Sequence, residues 1–416
     1  MSEKVLNGSA MSNSEWVAPS EADLDRLYGP KPWIPIKDPG MESFVGPAPK
    51  IDWLIENILP RGTPSLLCSL GGVGKSYLML DLCMRISAGP GMSPQFALGG
   101  RIPKRGRTVF ITAEDSRDAI HRRIDQLLMP GEMESDLQKA KLFDWMFPIS
   151  LADSENGLRS LLSSHNGEYA MTEAWSDLSD QIKEIEPDLV VLDPVQALVQ
   201  GDINADPACA QVFWSAVSRL CAQTGCSLLA THHMRKAGLS SEVDGPLAAR
   251  ENIRGTTALV DGARWAYALF LPSAKERASV EQALGEPIAE MDLVQGCVVK
   301  SNDIGMTPVR HFIRSGSGLL LDRTDQIAEE LEAHRYLSDE QIQETFGMVS
   351  IRWSRGDPFS HSANAKARYL GTWMMAHFEL TKEAAKGYIS EWLAEGRLVK
   401  EPHPKTSRAQ GLRYEP

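Results

Sequence analysis

Eight residues, Ser69-Leu-Gly-Gly-Val-Gly-Lys-Ser76, hold the densest chemistry in the chain. Gly71, Gly72 and Gly74 free the backbone to turn its N–H groups inward, where they can surround phosphate oxygens. Lys75 adds a point charge at the β- and γ-phosphates, and the Ser76 hydroxyl can hold Mg²⁺. An apolar run precedes the stretch and helical periodicity follows it, the setting that a phosphate-binding loop requires. The helix N-terminus contributes a positive end of its own. The expected nucleotide contacts are Gly71, Gly72, Val73, Gly74, Lys75, Ser76 and Tyr77, and the expected ligands are ATP and Mg²⁺. One departure is plain: Ser69 stands where the loop pattern opens on glycine.

Three further apolar runs end in polar side chains. Thr108-Val-Phe-Ile-Thr-Ala-Glu114-Asp115 closes on two carboxylates. Glu114 is the expected base, orienting and deprotonating the water that attacks the γ-phosphate. The competing reading is an acidic pair at a helix N-terminus, which suits Asp115 better than Glu114. Asp188-Leu-Val-Val-Leu-Asp193 is an apolar strand closed by a carboxylate, and Asp193 would hold Mg²⁺ through water. An Asx turn after a strand is the alternative. Ser227-Leu-Leu-Ala-Thr-His232-His233 ends in paired imidazoles, either of which could sense the γ-phosphate by hydrogen bonding. A hydrogen-bonded histidine at a strand end is the plain alternative, and no other ligand supports a metal site there.

These residues need a scaffold that brings strand ends together. Short apolar runs at 65–69, 108–112, 189–192, 227–230 and 265–271 alternate with helical periodicity over 76–87, 117–128, 172–185 and 209–224. Such alternation predicts an α/β fold of parallel βαβ units, with ligands at the carboxyl ends of the strands. Hairpin-like segments follow at 294–302 and 309–321. Residues 1–48, rich in Pro, Gly, Ser and charge, read as an irregular arm. Residues 49–324 form the expected nucleotide-binding core, 325–360 a linker with a helix, and 361–416 a small module. In that module a helix over 365–377, a helix over 382–395 capped by Thr381, and strands at 397–399 and 412–414 make a winged-helix-like α+β pattern.

Composition narrows the class. The 416 residues are 43% hydrophobic and 24% charged, ordinary for a globular protein of two or three domains. No run of about 18 apolar residues suggests a membrane span. The N-terminus lacks an apolar signal core, so a cytoplasmic location is expected. The net charge of -12 argues against a non-specific nucleic-acid coat, although local patches matter more than totals. Residues 351–416 carry 11 basic against 7 acidic side chains, a mildly basic end on an acidic body. The six cysteines form no CxxC pair and sit mostly in apolar runs, which predicts buried free thiols.

Taken together, the segments resemble the RecA-like hexameric helicases, with the nearest likeness to the plasmid-encoded RepA replicative helicase family. The likeness covers residues 51–321, rests on SLGGVGKS, TVFITAEDSRDAIHRRI, DLVVLDPVQALV, CSLLATHHMRKA and ARENIRGTTALVDGARWAYAL, and continues in VVKSNDIGMTPVRHFIRSGSGLLL. It implies a RecA-like P-loop core, a homo-oligomeric ring of six, and ATP between subunits. It implies Lys75 and Ser76 at the phosphates, Glu114 as base, Asp193 for Mg²⁺, and His232 or His233 as sensor. It also implies that Arg254 is an arginine finger reaching the neighbour's ATP, against the alternative of a surface salt bridge. Lys300 and Arg264 are weaker phosphate candidates, and residues 118–123 are expected near the adenine. Single-stranded DNA would run through the ring past loops 200–207 and 234–254. The basic C-terminal module would contact DNA or a protein partner such as a primase or initiator. The implied activity is ATP-driven DNA unwinding or translocation in plasmid, phage or mobile-element replication. The alternatives are an ATP-switched replication initiator, loader or regulator, or a recombination accessory ATPase without unwinding.

Overall fold

The computed structural model describes residues 41–90, 96–128, 139–154, 157–203, 205–233, 249, 257–305, 307–333, 336–378, 380–404 and 410–416. The chain divides into two units, Met1–Ile51 and Asp52–Pro416. In the first, the described residues form a 3-10 turn, Met41–Phe44, followed by irregular chain.

The second unit is built on nine strands. They are β1 (Pro64–Ser69), β2 (Thr108–Thr112), β3 (Met146–Ser150), β4 (Leu189–Asp193), β5 (Ser227–His233), β6 (Trp265–Phe270), β7 (Leu293–Ser301), β8 (Arg310–Arg314) and β9 (Leu320–Asp322). The spatial order is β9-β8-β7-β6-β1-β5-β4-β2-β3. The six strands from β6 to β3 run parallel, and β7, β8 and β9 extend the sheet antiparallel. This is the mostly parallel α/β sheet that the alternating runs predict, in the form of a RecA-like P-loop core.

The central strands are apolar at every position because both faces of the sheet are covered. Side chains alternate between two cores. Leu66, Cys68, Val190, Leu192, Leu228 and Ala230 face one side. Leu67, Phe110, Leu189, Val191 and Leu229 face the other. Helix α1 (Lys75–Ala88) and helix α2 (Arg117–Leu127) cover the second face. Helix α3 (Glu173–Ile185) and helix α4 (Pro207–Thr224) cover the first, where Phe213 and Trp214 fill its centre. All six cysteines are free and buried.

Several elements went unseen in the sequence, among them strand β3 and the helix that follows β6. Strand β3 carries Pro148, which cannot donate to a ladder, and it accordingly lies at the sheet edge. Helix α5 (Ala274–Leu284) has a weak apolar stripe; it packs through Val280 against Ile288, Leu293 and Ile327. Ile327 belongs to helix α6 (Thr324–Ala333).

The C-terminal residues have their own core. Helix α7 (Asp339–Ser354) opens with a capping box between Ser338 and Gln341. Its Phe346 packs on Trp392 (ring centroids 4.7 Å apart) and Tyr414 (4.4 Å). The helix expected over 365–377 is interrupted: a 3-10 segment, Ala363–Arg368, gives way to helix α8 (Leu370–Phe378), with Lys366 at φ 47. Helix α9 (Lys382–Ala394) starts where Thr381 Oγ1 accepts a bond from the Ala384 N–H (3.2 Å). Strands β10 (Leu398–Pro402) and β11 (Gln410–Tyr414) close the module as an antiparallel hairpin. Among the described residues, no helix is long and apolar enough to cross a membrane.

Candidate active site

The strand order decides which side chains meet. Strand β5 lies between β1 and β4, so its end stands between the loop after β1 and the carboxylate closing β4. Register places His233 opposite Ser69, and Asp193 opposite Thr112. Backbone N–H groups of Glu114 and Asp115 then donate to Thr112 Oγ1 (3.3 and 3.2 Å), which turns the chain after β2 toward the loop.

Residues 69–76 form a tight loop on the N-terminus of α1. Gly72 and Gly74 adopt φ 80 and 104, left-handed values that favour glycine. The side chain of Lys75 is only 5% exposed, and its Nζ stands 3.5 Å from His233 Nε2 and 3.9 Å from Asp193 Oδ1. Glu114 Oε1 lies 3.7 Å from the same His233 nitrogen. Lys75, Glu114, Asp193 and His233 thus converge. Lys75, Glu114 and His233 border a cavity of about 300 Å³ that Gly72, Gly74, Ser76, Tyr77, Arg123 and Arg314 also line, and Asp193 lies buried behind Lys75. Gly71 is exposed at the mouth of the loop and Val73 is buried beneath it.

The two histidines part company because successive residues of a strand point to opposite faces. His233 turns to the cavity. Burial, then the neighbouring Lys75 charge, lower its pKa, with the Glu114 and Asp193 carboxylates opposing. His232 is fully buried on the other side, bonded through Nδ1 to the Gln196 side-chain amide. Burial, then the charges of His233 and Lys75, push its pKa down to about 3, so it is neutral.

Asp193 is oriented by a hydrogen bond from Thr231 Oγ1 to its Oδ1. Its Oδ2 is buried and has no protein partner. An orphaned carboxylate oxygen beside a phosphate loop suits a hydrated Mg²⁺, which takes few protein ligands and keeps waters and phosphate oxygens. Asp193 and Ser76 are the residues that would hold it. No cluster of three or more metal-ligating side chains occurs among the described residues.

Other expectations resolve differently. Asp115 pairs bidentately with Arg123 (2.8 Å for Nη2 to Oδ1), and Ser116 rather than Asp115 caps α2 through the Ala119 N–H (3.2 Å). Arg123 lines the cavity with its guanidinium 5.8 Å from the Tyr77 ring centre, and Tyr77 Oη donates to Gln126 Oε1 (2.7 Å). Lys300 does not reach the cavity. Its Nζ donates to the Val260 (3.1 Å) and Asp261 (2.5 Å) carbonyls, tying down the short helix Thr257–Gly262. Arg264 is exposed, and its backbone N–H donates to the Pro64 carbonyl (2.9 Å). Arg254 lies outside the described residues, as does the loop expected at 234–254 apart from Ala249. The loop expected at 200–207 is anchored: Ile203 is buried, and Asp206 caps α4 while accepting from Tyr169 Oη (2.7 Å).

One site residue was not singled out from the sequence. Arg314, at the end of β8, donates through Nη2 to the Val73 (2.9 Å) and Gly72 (3.3 Å) carbonyls. It lies more than two hundred residues beyond the loop it touches, inside the last segment of the family likeness, where no role was assigned to it.

Residues 35–238 match the family model described as an AAA domain. That stretch carries the phosphate loop, both carboxylate-ended strands and the histidine pair, and it is a P-loop ATPase domain.

Proposed function

We propose that the protein is an ATP-hydrolysing motor of the RepA-like helicase type, assembling as a homo-hexameric ring on single-stranded DNA in plasmid, phage or mobile-element replication. The observation that carries the ATPase half is the meeting of Lys75, Glu114 and His233 on one cavity, with Asp193 3.9 Å behind the Lys75 ammonium. Loop N–H groups and Lys75 bind the β- and γ-phosphates. Bound Mg²⁺ would neutralise charge on the phosphate oxygens. Glu114, half-exposed at the mouth, takes the proton of the attacking water. His233 Nε2 lies 3.5 Å from the Lys75 ammonium and 3.7 Å from the Glu114 carboxylate, so its hydrogen bonds change when a γ-phosphate claims Lys75. The segment after β5 continues into loop 234–254, which gives that change a route to DNA. Arg254 from a neighbouring subunit would supply charge to the transition state, a contribution worth about 10³–10⁵ in rate.

A specific observation supports a second reading, an ATP-switched initiator or loader. The C-terminal module has a separate core and resembles a winged helix, with Lys382, Lys386 and Lys400 exposed. Much of its remaining basic charge is already engaged. Arg413 pairs with Glu401 and Glu415 (both 2.5 Å), and Arg397 lies over Phe346 (4.5 Å to the ring centre). The exposed lysines would suit a protein partner such as a primase or initiator as much as DNA.

Steady-state ATPase with and without single-stranded DNA, across salt concentrations and on protein sized by light scattering, separates the two. Strong, salt-sensitive stimulation in a ring-sized assembly supports the motor. Turnover indifferent to single strands, or a monomer, moves the weight to the switch.

A further inference from the structure

Arg314 connects the antiparallel extension of the sheet to the phosphate loop. Its side chain is 19% exposed. It is anchored at its base: Nε and Nη2 both donate to the Met291 carbonyl (3.3 Å each), and Nε lies 3.5 Å from Asp292 Oδ1. At its tip Nη2 reaches the Gly72 and Val73 carbonyls. A Cβ built on Gly74 would meet Arg314 Nη1 and Leu320 Cδ1 at 3.2 Å, so β8 and β9 press directly on the loop.

We propose that Arg314 is a positioning residue for nucleotide binding, holding the phosphate loop in its receptive form before ATP arrives. The reason lies in the planarity of the peptide unit. In a trans peptide the C=O and the following N–H point in opposite directions. The Gly72 carbonyl shares its plane with the Val73 N–H, and the Val73 carbonyl with the Gly74 N–H. A guanidinium that fixes those two carbonyls on the outside fixes two N–H donors on the inside, where phosphate oxygens bind. The left-handed glycines make this loop compliant, so without an external hold its peptide planes would rotate. Bonds from a guanidinium are charge-assisted, and a single group spans both carbonyls. Arg314 thereby lowers the ordering cost of binding without touching the reacting atoms.

The inference rests on ATP binding at this loop, and the test keeps the two apart. Binding of a fluorescent ATP analogue, competition by inorganic triphosphate, and ATPase kinetics are measured for wild type, Arg314→Gln and Arg314→Lys. Arg314→Gln should weaken both ATP and triphosphate about tenfold, the loss of a charge-assisted bond, and raise KM with kcat nearly unchanged. Arg314→Lys should recover most of the affinity, because an ammonium can still donate to both carbonyls. Should Arg314→Gln fail to fold, Asp292→Asn loosens the anchor and should shift KM in the same direction by a smaller factor. Unchanged affinity in folded variants overturns the proposal, as does a fall in kcat at constant KM, which would mark direct contact with the transition state. Wild-type protein that binds no nucleotide would instead overturn the ATP reading itself.

Discussion

Lys75 and Glu114 both approach Nε2 of His233, and their charges assign them different work. Lys75→Ala removes a nearly buried ammonium from the phosphate cradle and should abolish both nucleotide binding and turnover. Glu114 is exposed at the cavity mouth, so Glu114→Gln should leave ATP binding intact while hydrolysis falls by roughly 10²–10⁴, the usual contribution of a positioned base. Equilibrium binding beside single-turnover hydrolysis distinguishes these outcomes; lost binding in the Gln variant would assign Glu114 a structural role. His232 makes a different prediction. Its folded pKa, about 3, lies below the ordinary 6.5. The unfolded chain therefore takes up a proton more readily as the pH falls, and stability contributed above pH 6.5 is lost progressively toward pH 3. Thermal midpoints measured from pH 7.5 to 4 should decline less steeply in His232→Gln than in wild type. Parallel curves would show that the imidazole is not the group responsible.

At the scale of elements, the parallel strands set where chemistry occurs, and the C-terminal module stands apart in its packing. Its core shares no residue with the two cores of the sheet, and one contact that crosses to it is the 3.5 Å bond from Gln282 Nε2 to the Leu380 carbonyl. Trp392 is 2% exposed and sandwiched by Phe346 and Tyr388. Trp392→Ala should destabilise the module by about 3–5 kcal/mol. The expected result is a new low-temperature transition in calorimetry with basal ATPase preserved. A single transition shifted as a whole would mean that the module and the sheet unfold together. The elements also show why parts of the sequence misled. The 365–377 periodicity is helical on paper, yet Lys366 at φ 47 breaks it, since packing of Tyr369 and Leu370 into the module core overrides local propensity.

For the whole molecule, the open question is assembly. If Arg254 serves a neighbour's ATP, subunits carrying Arg254→Ala should poison a mixed ring. ATPase measured against the fraction of variant should fall faster than in proportion. A strictly proportional decline would place the arginine within its own subunit's economy or on the surface.

How much was legible beforehand follows from the range of the forces involved. The phosphate loop, the strands ending at Asp193 and His233, and the Thr381 cap are local patterns: neighbouring residues specify them through φ preference, apolar runs and short hydrogen bonds. The α/β class followed because strand and helix periodicities alternate along the chain. Which histidine faces the nucleotide was not local, for adjacent strand residues point to opposite faces and only the packing of both cores selects one. The same holds for the Asp115–Arg123 pair and for Thr231 orienting Asp193, each fixed by strand register. Arg314 is the extreme case. Its sequence neighbourhood carries no mark of the phosphate loop, and its place there exists only because β7, β8 and β9 fold back antiparallel beside β6. The residue types that could do chemistry were written in the sequence, whereas their directions in space came from long-range contacts that close only when the sheet assembles.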